Sequence, residues 1–446
     1  MVNTTDNLLK KDEQYVWHSM RKFDPKSTMI IEEADGAWIT TSDGQRYLDG
    51  MSGLWCVNVG YGRTELAEAS YKQLAKMPYY PLTQTHQPAI ELGEKLNEWL
   101  GDEYVIYFSN SGSEANETAF KIARQYHSQI GQHERKKFIS LYRSYHGSTL
   151  GAMSATGQAQ RKYNYEPLVQ GFLHAPPPDC YRSHLERDGS CCTHNANEIK
   201  RIINWEMEET VAAVIMEANI TGGGVLIPHN NYLQEVRNIC NETGTLLIID
   251  EVINGFGRTG KPFGFMHSGI KPDIITMAKG ITSAYLPLSA TAVRKNIFEA
   301  FKGTEEYDLF RHVNTYGGSP ASCAVALKNI EIIEKENLIE RSRILGERLY
   351  KGIKELYEHP HVGDIRCKGL LLGIELVENK ASKTPIEIGK IDLVIASCKD
   401  AGLIIGKNGY TVKGFNNILT ISPPLSITDD DLSFIIKTLK QAIAQI

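Results

Sequence analysis

No apolar run in this chain approaches the roughly 18 residues that a membrane-spanning helix needs, so no membrane span is expected. A basic block is missing too: 48 Lys and Arg face 53 Asp and Glu, the net charge is −5, and the cations are scattered. A nucleic-acid binder would need them gathered on one face. The opening stretch, Met1 to Gln14, is polar and of mixed charge, unlike a secretory leader. The resulting expectation is a soluble, cytoplasmic protein. Cysteine is sparse, eight in 446 residues without regular spacing, which predicts reduced thiols and no disulfide framework. The local cluster Cys180, Cys191, Cys192 and His194 fits none of the usual paired-ligand spacings. It reads as a surface excursion with incidental thiols, and no metal is expected. Internal repeats and low-complexity segments are likewise missing.

What is present is ordinary globular usage, 42% hydrophobic and 23% charged, in a chain long enough for a large core. Through the middle, short aliphatic or β-branched runs alternate with helical patterns. The runs are Tyr104–Ser109, Lys137–Tyr142, Val211–Glu217, Thr245–Asp250, Asp273–Ala278 and Pro287–Val293. Ser113–His127 and Tyr232–Glu242 carry helical spacing between them. Such alternation predicts an α/β fold with a mainly parallel sheet covered on both faces. The run Leu246-Leu247-Ile248-Ile249 suits a strand buried on both sides. In the last third, Leu338, Leu345, Leu349, Ile353 and Leu356 trace a long amphipathic helix. Thr428 and Asp431 form a capping box before a final helix striped by Leu432, Ile435, Leu439 and Ile443. Gly369–Leu376 and Ile418–Ile421 read as strands. The expected division is an N-terminal segment (1–60), a large domain (61–329) and a small α/β domain (330–446) that packs with the N-terminal segment.

Polar residues at strand ends carry the chemistry. The strand Thr245–Asp250 stops at a carboxylate, which is costly in a buried place without a partner. A helix cap or a surface ion pair would explain an isolated Asp250 as well. The next strand ends in Lys279-Gly280, where desolvation would lower the amine's pKa and free it for Schiff-base chemistry. Snorkelling to solvent is the bland alternative. Upstream, Ser109-Asn110-Ser111-Gly112-Ser113 joins a strand to a helix and exposes backbone N–H groups suited to a phosphate, although Ser and Gly also simply cap helices. Tyr145, after another strand, could stack on a ring or be an ordinary buried turn tyrosine. A phosphate anchor, an acid and a lysine together are what pyridoxal phosphate (PLP) requires.

These residues lie in segments that resemble the class III pyridoxal-phosphate aminotransferases, which have the fold-type-I architecture with a seven-stranded sheet. The resemblance spans nearly the whole chain. It rests on Gly53-Leu54-Trp55-Cys56-Val57-Asn58-Val59-Gly60-Tyr61-Gly62, Ser111-Gly112-Ser113-Glu114-Ala115-Asn116, Tyr145-His146-Gly147, the stretch from Asp250-Glu251-Val252 to Arg258-Thr259-Gly260, Ala278-Lys279-Gly280, and His312-Val313-Asn314-Thr315-Tyr316-Gly317-Gly318. It implies that Lys279 binds the cofactor and moves a proton, and that Asp250 pairs with the pyridine nitrogen. Val252 and Tyr145 would sandwich the ring. Ser111, Gly112 and Ser113 would hold the phosphate, with His146 and Glu217 close to the cofactor. Thr315 would reach the phosphate of a neighbouring subunit, which makes a homodimer with shared sites the expected assembly. Ala218 and Asn254 depart from the residues commonest at their positions.

Within the family, Trp55, the Phe23 neighbourhood, and the segments around Arg143 and Arg161 resemble the ω-amino acid:pyruvate branch. The stretch from Tyr165 to Arg182 looks most like taurine–pyruvate aminotransferases. This implies a donor such as taurine or β-alanine and a keto-acid acceptor, pyruvate. The rival is the adenosylmethionine-8-amino-7-oxononanoate aminotransferase of biotin synthesis. Those enzymes usually carry aspartate where this chain has Ser148, and a hydroxyl cannot offer an ammonium a charge-assisted bond. An aminomutase is a further alternative. The position where both groups often hold a carboxylate-binding arginine falls at Lys413, a point charge and not a fork, or else a solvated loop lysine. Arg143 and Arg161 are the other candidates for the substrate's anion. A PLP-binding regulator would need a DNA-binding module, and no spare segment exists for one.

Overall fold

Seven strands near the middle of the chain form one sheet. In this computed structural model, which describes residues 4–20, 24, 28–183, 190–229, 231–409 and 411–446, they are β1 (Tyr104–Ser109), β2 (Lys137–Leu141), β3 (Phe172–Ala175), β4 (Val211–Glu217), β5 (Leu246–Asp250), β6 (Ile274–Met277) and β7 (Ser289–Arg294). Their order is β1-β7-β6-β5-β4-β2-β3. All neighbours run parallel except around β7, which is antiparallel to both β1 and β6. Every residue of β4 and β5 is buried, as their unbroken apolar runs require. β3 was not among the expected strands: Phe172-Leu173-His174-Ala175 is short and only half-buried along most of its length.

Helices close the connections. The helix α1 (Gly112–Gln129) lies against β6 and β7. α2 (Ser190–Trp205) and α3 (Tyr232–Thr243) pack on each other. Toward the C-terminus, α4 (Leu338–Ile353) buries Leu338, Leu345, Leu349 and Ile353, the expected stripe. α5 (Asp429–Ile443) starts at the expected capping box, with Thr428 accepting from the Asp431 amide. A separate antiparallel sheet contains Val362–Cys367, Leu372–Asn379 and Ile418–Ile421. Near the N-terminus, Ile31–Asp35, Trp38–Thr41 and Arg46–Asp49 form a meander to which Leu403–Ile404 adds in parallel, so the two ends of the chain share a sheet.

Arg258 ties these parts together. It is fully buried, and its Nη1 donates to Leu370 O and Pro423 O, while Nη2 donates to Asn58 Oδ1 at 2.9 Å and Ser52 Oγ at 3.3 Å.

The strand ends align. In register, Glu217 of β4 is paired with Asp250 of β5, and Asp250 with Thr276 of β6. Lys279 follows two residues after β6. The carboxyl edge of the parallel sheet therefore gathers two carboxylates and an amine, where ligands collect in such sheets.

One expectation from composition is corrected. The cysteines are not all reduced thiols, because Cys180 and Cys191 are joined in a disulfide. The segment after β3 folds back over the start of α2 and brings their Cα atoms to 5.7 Å, within disulfide reach. The other six cysteines are free and buried or half-buried.

Candidate active site

The turn into α1 comes first. Ser111 is the N-cap: its Oγ accepts from the Glu114 amide, and Glu114 reaches back to accept from the amides of Asn110 and Ser111. This box fixes the first turn and leaves the amides of Gly112 and Ser113 without partners among the described residues. Free N–H groups at a helix N-terminus form an anion cradle. Gly112 is needed there because a Cβ would come within 3.0 Å of Val252 Cγ2 and 3.2 Å of its Cγ1. Ser113 turns the other way, and its Oγ accepts from the Ser148 amide at 3.1 Å, which locks the Tyr145-His146-Gly147 turn beside the cradle.

Asp250 is buried at the end of β5. Its Oδ2 lies 2.9 Å from His146 Nδ1 and 2.9 Å from Asn116 Nδ2, while Oδ1 accepts from the Val252 amide at 3.0 Å. Asn116 is itself fixed by Thr276 Oγ1, which donates to its Oδ1 at 2.8 Å, and by the bond from its Nδ2 to His146 O. The carboxylate is thus aimed by three elements. His146 is buried, and its Nε2 has no partner among the described residues. Glu217 accepts from the Tyr145 amide and, through its other oxygen, from the amide and hydroxyl of Thr221. Burial and the neighbouring Asp250 push the Glu217 carboxyl up.

Lys279 is held at a left-handed φ of 48°. Its Nζ makes no hydrogen bond or ion pair with a described residue. Burial pulls its ammonium below the ordinary lysine value and Arg161 pushes the same way, while Cys56, Asp250 and Glu217 act against the shift. The result is an amine primed for nucleophilic work.

The arginines separate sharply. Arg161 lays its guanidinium over the Tyr145 ring, 4.8 Å from the centroid, and its Nε donates to Gln158 Oε1 at 2.6 Å. No carboxylate pairs with it among the described residues. Arg143 is a different case and is corrected as a substrate ligand: it is buried, its Nε and Nη2 donate to Gly223 O, and Nη1 is ion-paired with Asp179. Each of its three nitrogens is engaged. Lys413 is exposed and makes none of the contacts that join Arg161, Gln158 and Tyr145. Trp55 is buried against Val225 and Leu371 in an apolar cluster with Met51 and Ile253. Phe23 lies outside the described residues. Thr315 is exposed, and its carbonyl accepts from the Tyr79 hydroxyl.

Three contributors were not singled out from the sequence. Asn116 aims Asp250, Gln158 aims Arg161, and Cys56 lies close enough to Lys279 to feel its charge. Asn116 sits one turn into α1 from the cradle, a spacing that places it on the same face. Gln158 and Cys56 leave no such signal.

A sequence model described as Aminotransferase class-III matches residues 20–443. The chain belongs to the class III aminotransferase family. This class III aminotransferase is 63% identical to the uncharacterized aminotransferase YhxA of Bacillus subtilis, over 100% of the chain and 98% of the relative. It is 41% identical to a taurine–pyruvate aminotransferase of Bilophila wadsworthia, over 98% and 97% of the two chains. An adenosylmethionine-8-amino-7-oxononanoate aminotransferase of Staphylococcus aureus is 35% identical over 100% and 99%. Among solved structures, a Bacillus anthracis aminotransferase superposes with a TM-score of 0.96 at 60% identity, covering 100% of both chains. A PLP-bound amine transaminase from an uncultivated Pseudomonas species gives 0.92 at 34% identity, over 97% and 98%.

The enzyme is a transaminase that uses pyridoxal phosphate, an amine donor and a keto-acid acceptor. The residues present fit that cofactor. The Gly112 cradle, which lies against Val252, can take a phosphate, and the Lys279 amine, without a partner among the described residues, is close enough to Asp250 to feel its charge. No helix of the described residues is long and apolar enough to cross a membrane.

Proposed function

We propose that this aminotransferase takes its amino group from an amine whose far end is anionic, such as taurine or β-alanine, and passes it to pyruvate. One observation carries the reading: Arg161, half-buried over Tyr145 and without an acidic partner among the described residues, is a guanidinium prepared for a carboxylate or sulfonate. The 41% identical taurine–pyruvate aminotransferase supports the same donor class. Ser148, which offers no charge to a second substrate ammonium, counts against the biotin-pathway amine.

Bound pyridoxal phosphate supplies an aldehyde that captures the amine and a ring that accepts electrons from the broken C–H bond. The protein's part follows from its own geometry. Gly112 and Ser113 hold the phosphate. Asp250, aimed by His146 and Asn116, holds the proton on the ring nitrogen, and Val252 and Tyr145 fix the ring plane. Lys279 Nζ takes and returns the substrate proton, a role that its depressed ammonium pKa favours. Arg161 orients the substrate by its anion. Thr315 serves a second subunit's phosphate site. The exposed surface of Tyr79, Val313 and Tyr316 around it supports a homodimer, which sedimentation of the holoenzyme tests.

The test is half-reaction spectroscopy. Taurine, β-alanine and S-adenosylmethionine are added separately to the PLP-loaded enzyme while conversion of the cofactor to its amine form is followed. Conversion by taurine or β-alanine, reversed by pyruvate, is expected. Arg161→Gln should raise KM for the acidic donor about 10- to 100-fold, the value of one charge-assisted contact, while turnover of an uncharged amine persists. Conversion by S-adenosylmethionine alone would refute the donor assignment.

A further inference from the structure

The sulfur cluster that composition dismissed is organised around the residues that support Arg161. Three sulfurs meet within 4.8 Å: the Cys180–Cys191 disulfide and the free thiol of Cys192. Cys192 Sγ lies 3.1 Å from Cys180 Sγ and 3.9 Å from Cys191 Sγ, so the third sulfur touches the bond it is not part of. Cys191 and Cys192 occupy the first turn of α2, a 16-residue helix whose N-terminal dipole favours a thiolate. The His229 amide donates to Cys192 Sγ at 3.2 Å, and the buried Tyr232 hydroxyl beside it has no partner among the described residues. Cys180 is half-buried and lines a cavity of about 370 Å³, which gives small molecules access to the bond.

The loop carrying Cys180 connects to the active site through named contacts. Asp179, its neighbour, is ion-paired with Arg143. The Arg143 carbonyl accepts from Gln158 Nε2 at 2.8 Å, and Gln158 Oε1 accepts from Arg161 Nε. On the other side, Arg182 donates to Glu375 at 2.8 Å and stacks on Phe415, which also lies beside Arg143. The disulfide pins this loop to α2.

We propose that Cys180, Cys191 and Cys192 form a thiol–disulfide modification site, whose substrates are low-molecular-weight dithiols and disulfides, and that its oxidised state holds Asp179 and Arg143 so as to position Arg161. Two steps balance. In exchange, the Cys192 thiolate attacks Cys180 Sγ, a Cys180–Cys192 bond forms, and Cys191 leaves as a thiolate that takes the proton Cys192 gave up; no electrons are gained or lost. In reduction, an added dithiol gives two electrons and two protons to the Cys180–Cys191 bond and leaves as its own cyclic disulfide. Burial pushes the Cys192 thiol up, which keeps exchange slow while the cluster is closed. Cysteines in reducing compartments that pair at all usually do so in such reversible roles.

The test starts with thiol mapping of the holoenzyme, which needs no substrate. After mild oxidation with a small disulfide and denaturation, six of the eight cysteines should alkylate, and all eight after a dithiol. Cys191→Ser should still form one bond, now Cys180–Cys192, whereas Cys180→Ser should form none. Reduction of the wild type should raise KM for the acidic donor about 3- to 30-fold, as modest coupling energies give, with kcat for an uncharged amine unchanged and both restored on reoxidation. Eight free thiols after oxidation, or alkylation of all eight only after a chelator has removed a bound soft metal ion, would overturn the assignment. So would seven free thiols in oxidised Cys191→Ser, or a KM indifferent to redox state. The kinetic arm rests on the anionic-donor reading. If no acidic donor converts the cofactor, that reading fails while the thiol map still decides the site.

Discussion

Replacing Asp250 by Asn tests the centre of the site with almost no change of shape. The carboxylate receives three hydrogen bonds, from His146 and Asn116 at Oδ2 and from the Val252 amide at Oδ1. An amide has one acceptor oxygen and one donor group. Turned to keep His146 and Asn116, it points its NH2 at the Val252 N–H. Turned the other way, it loses both contacts at Oδ2. The first orientation costs least: one buried amide goes unsatisfied and two charge-assisted bonds become neutral ones. One unsatisfied buried group costs about 1–3 kcal/mol, so the melting midpoint of the apoenzyme should fall by a few degrees. Turnover should fall further, by about 10²- to 10³-fold, the usual effect of deleting one preorganised electrostatic partner. Calorimetry of the apoenzyme and steady-state rates of the PLP-loaded variant give the two numbers. A variant with full turnover would refute Asp250's role toward the ring nitrogen. An unchanged melting midpoint would refute the hydrogen-bond argument even if the rate fell.

Three further outcomes are expected. Lys279→Ala should lose transamination and the absorbance of lysine-bound cofactor while its apoenzyme melts no lower than wild type, because the Nζ has no partner among the described residues to lose. Arg258→Ala should cost at least about 3 kcal/mol in denaturant unfolding, since it strands two buried carbonyls and Asn58 Oδ1 in a place without solvent. His174 is pulled by burial from 6.5 to about 4, a depressed histidine, so it favours folding above pH 6.5 and that contribution is lost as pH falls toward 4. His174→Gln should therefore flatten the stability profile across that window, measured by thermal melting at several pH values.

The core chemistry was legible because its residues break local rules. A carboxylate closing an apolar strand at Asp250 and a lysine closing the next at Lys279 are costly in isolation, and strand register then places Asp250 opposite Glu217. The expected strands emerged where runs were continuous and aliphatic. β3 escaped because it is only four residues long, three of them half-buried and one of those His174, which carry little period or propensity. The N-terminal meander escaped for a similar reason: Ile31–Asp35 is mostly exposed, so nothing in its pattern marks a strand.

The substrate end was illegible for a physical reason. Arg143 and Arg161 are the same residue type and lie 18 positions apart. What separates them is long-range. Gly223 O and Asp179 engage all three nitrogens of Arg143 and leave it structural, whereas Arg161 donates to two neutral partners, Gln158 Oε1 and Met20 Sδ, and lies over Tyr145 with no carboxylate paired to it among the described residues. The same holds for the cysteines. A spacing of eleven residues between Cys180 and Cys191 says nothing of pairing, and only the fold-back of the loop after β3 makes it. Both facts reside in one stretch of chain, residues 176–183, whose Asp179 and Cys180 are adjacent. That adjacency is why a covalent change at Cys180 is felt at Arg143: one peptide bond separates the sulfur from the residue that decides which arginine is free to bind substrate.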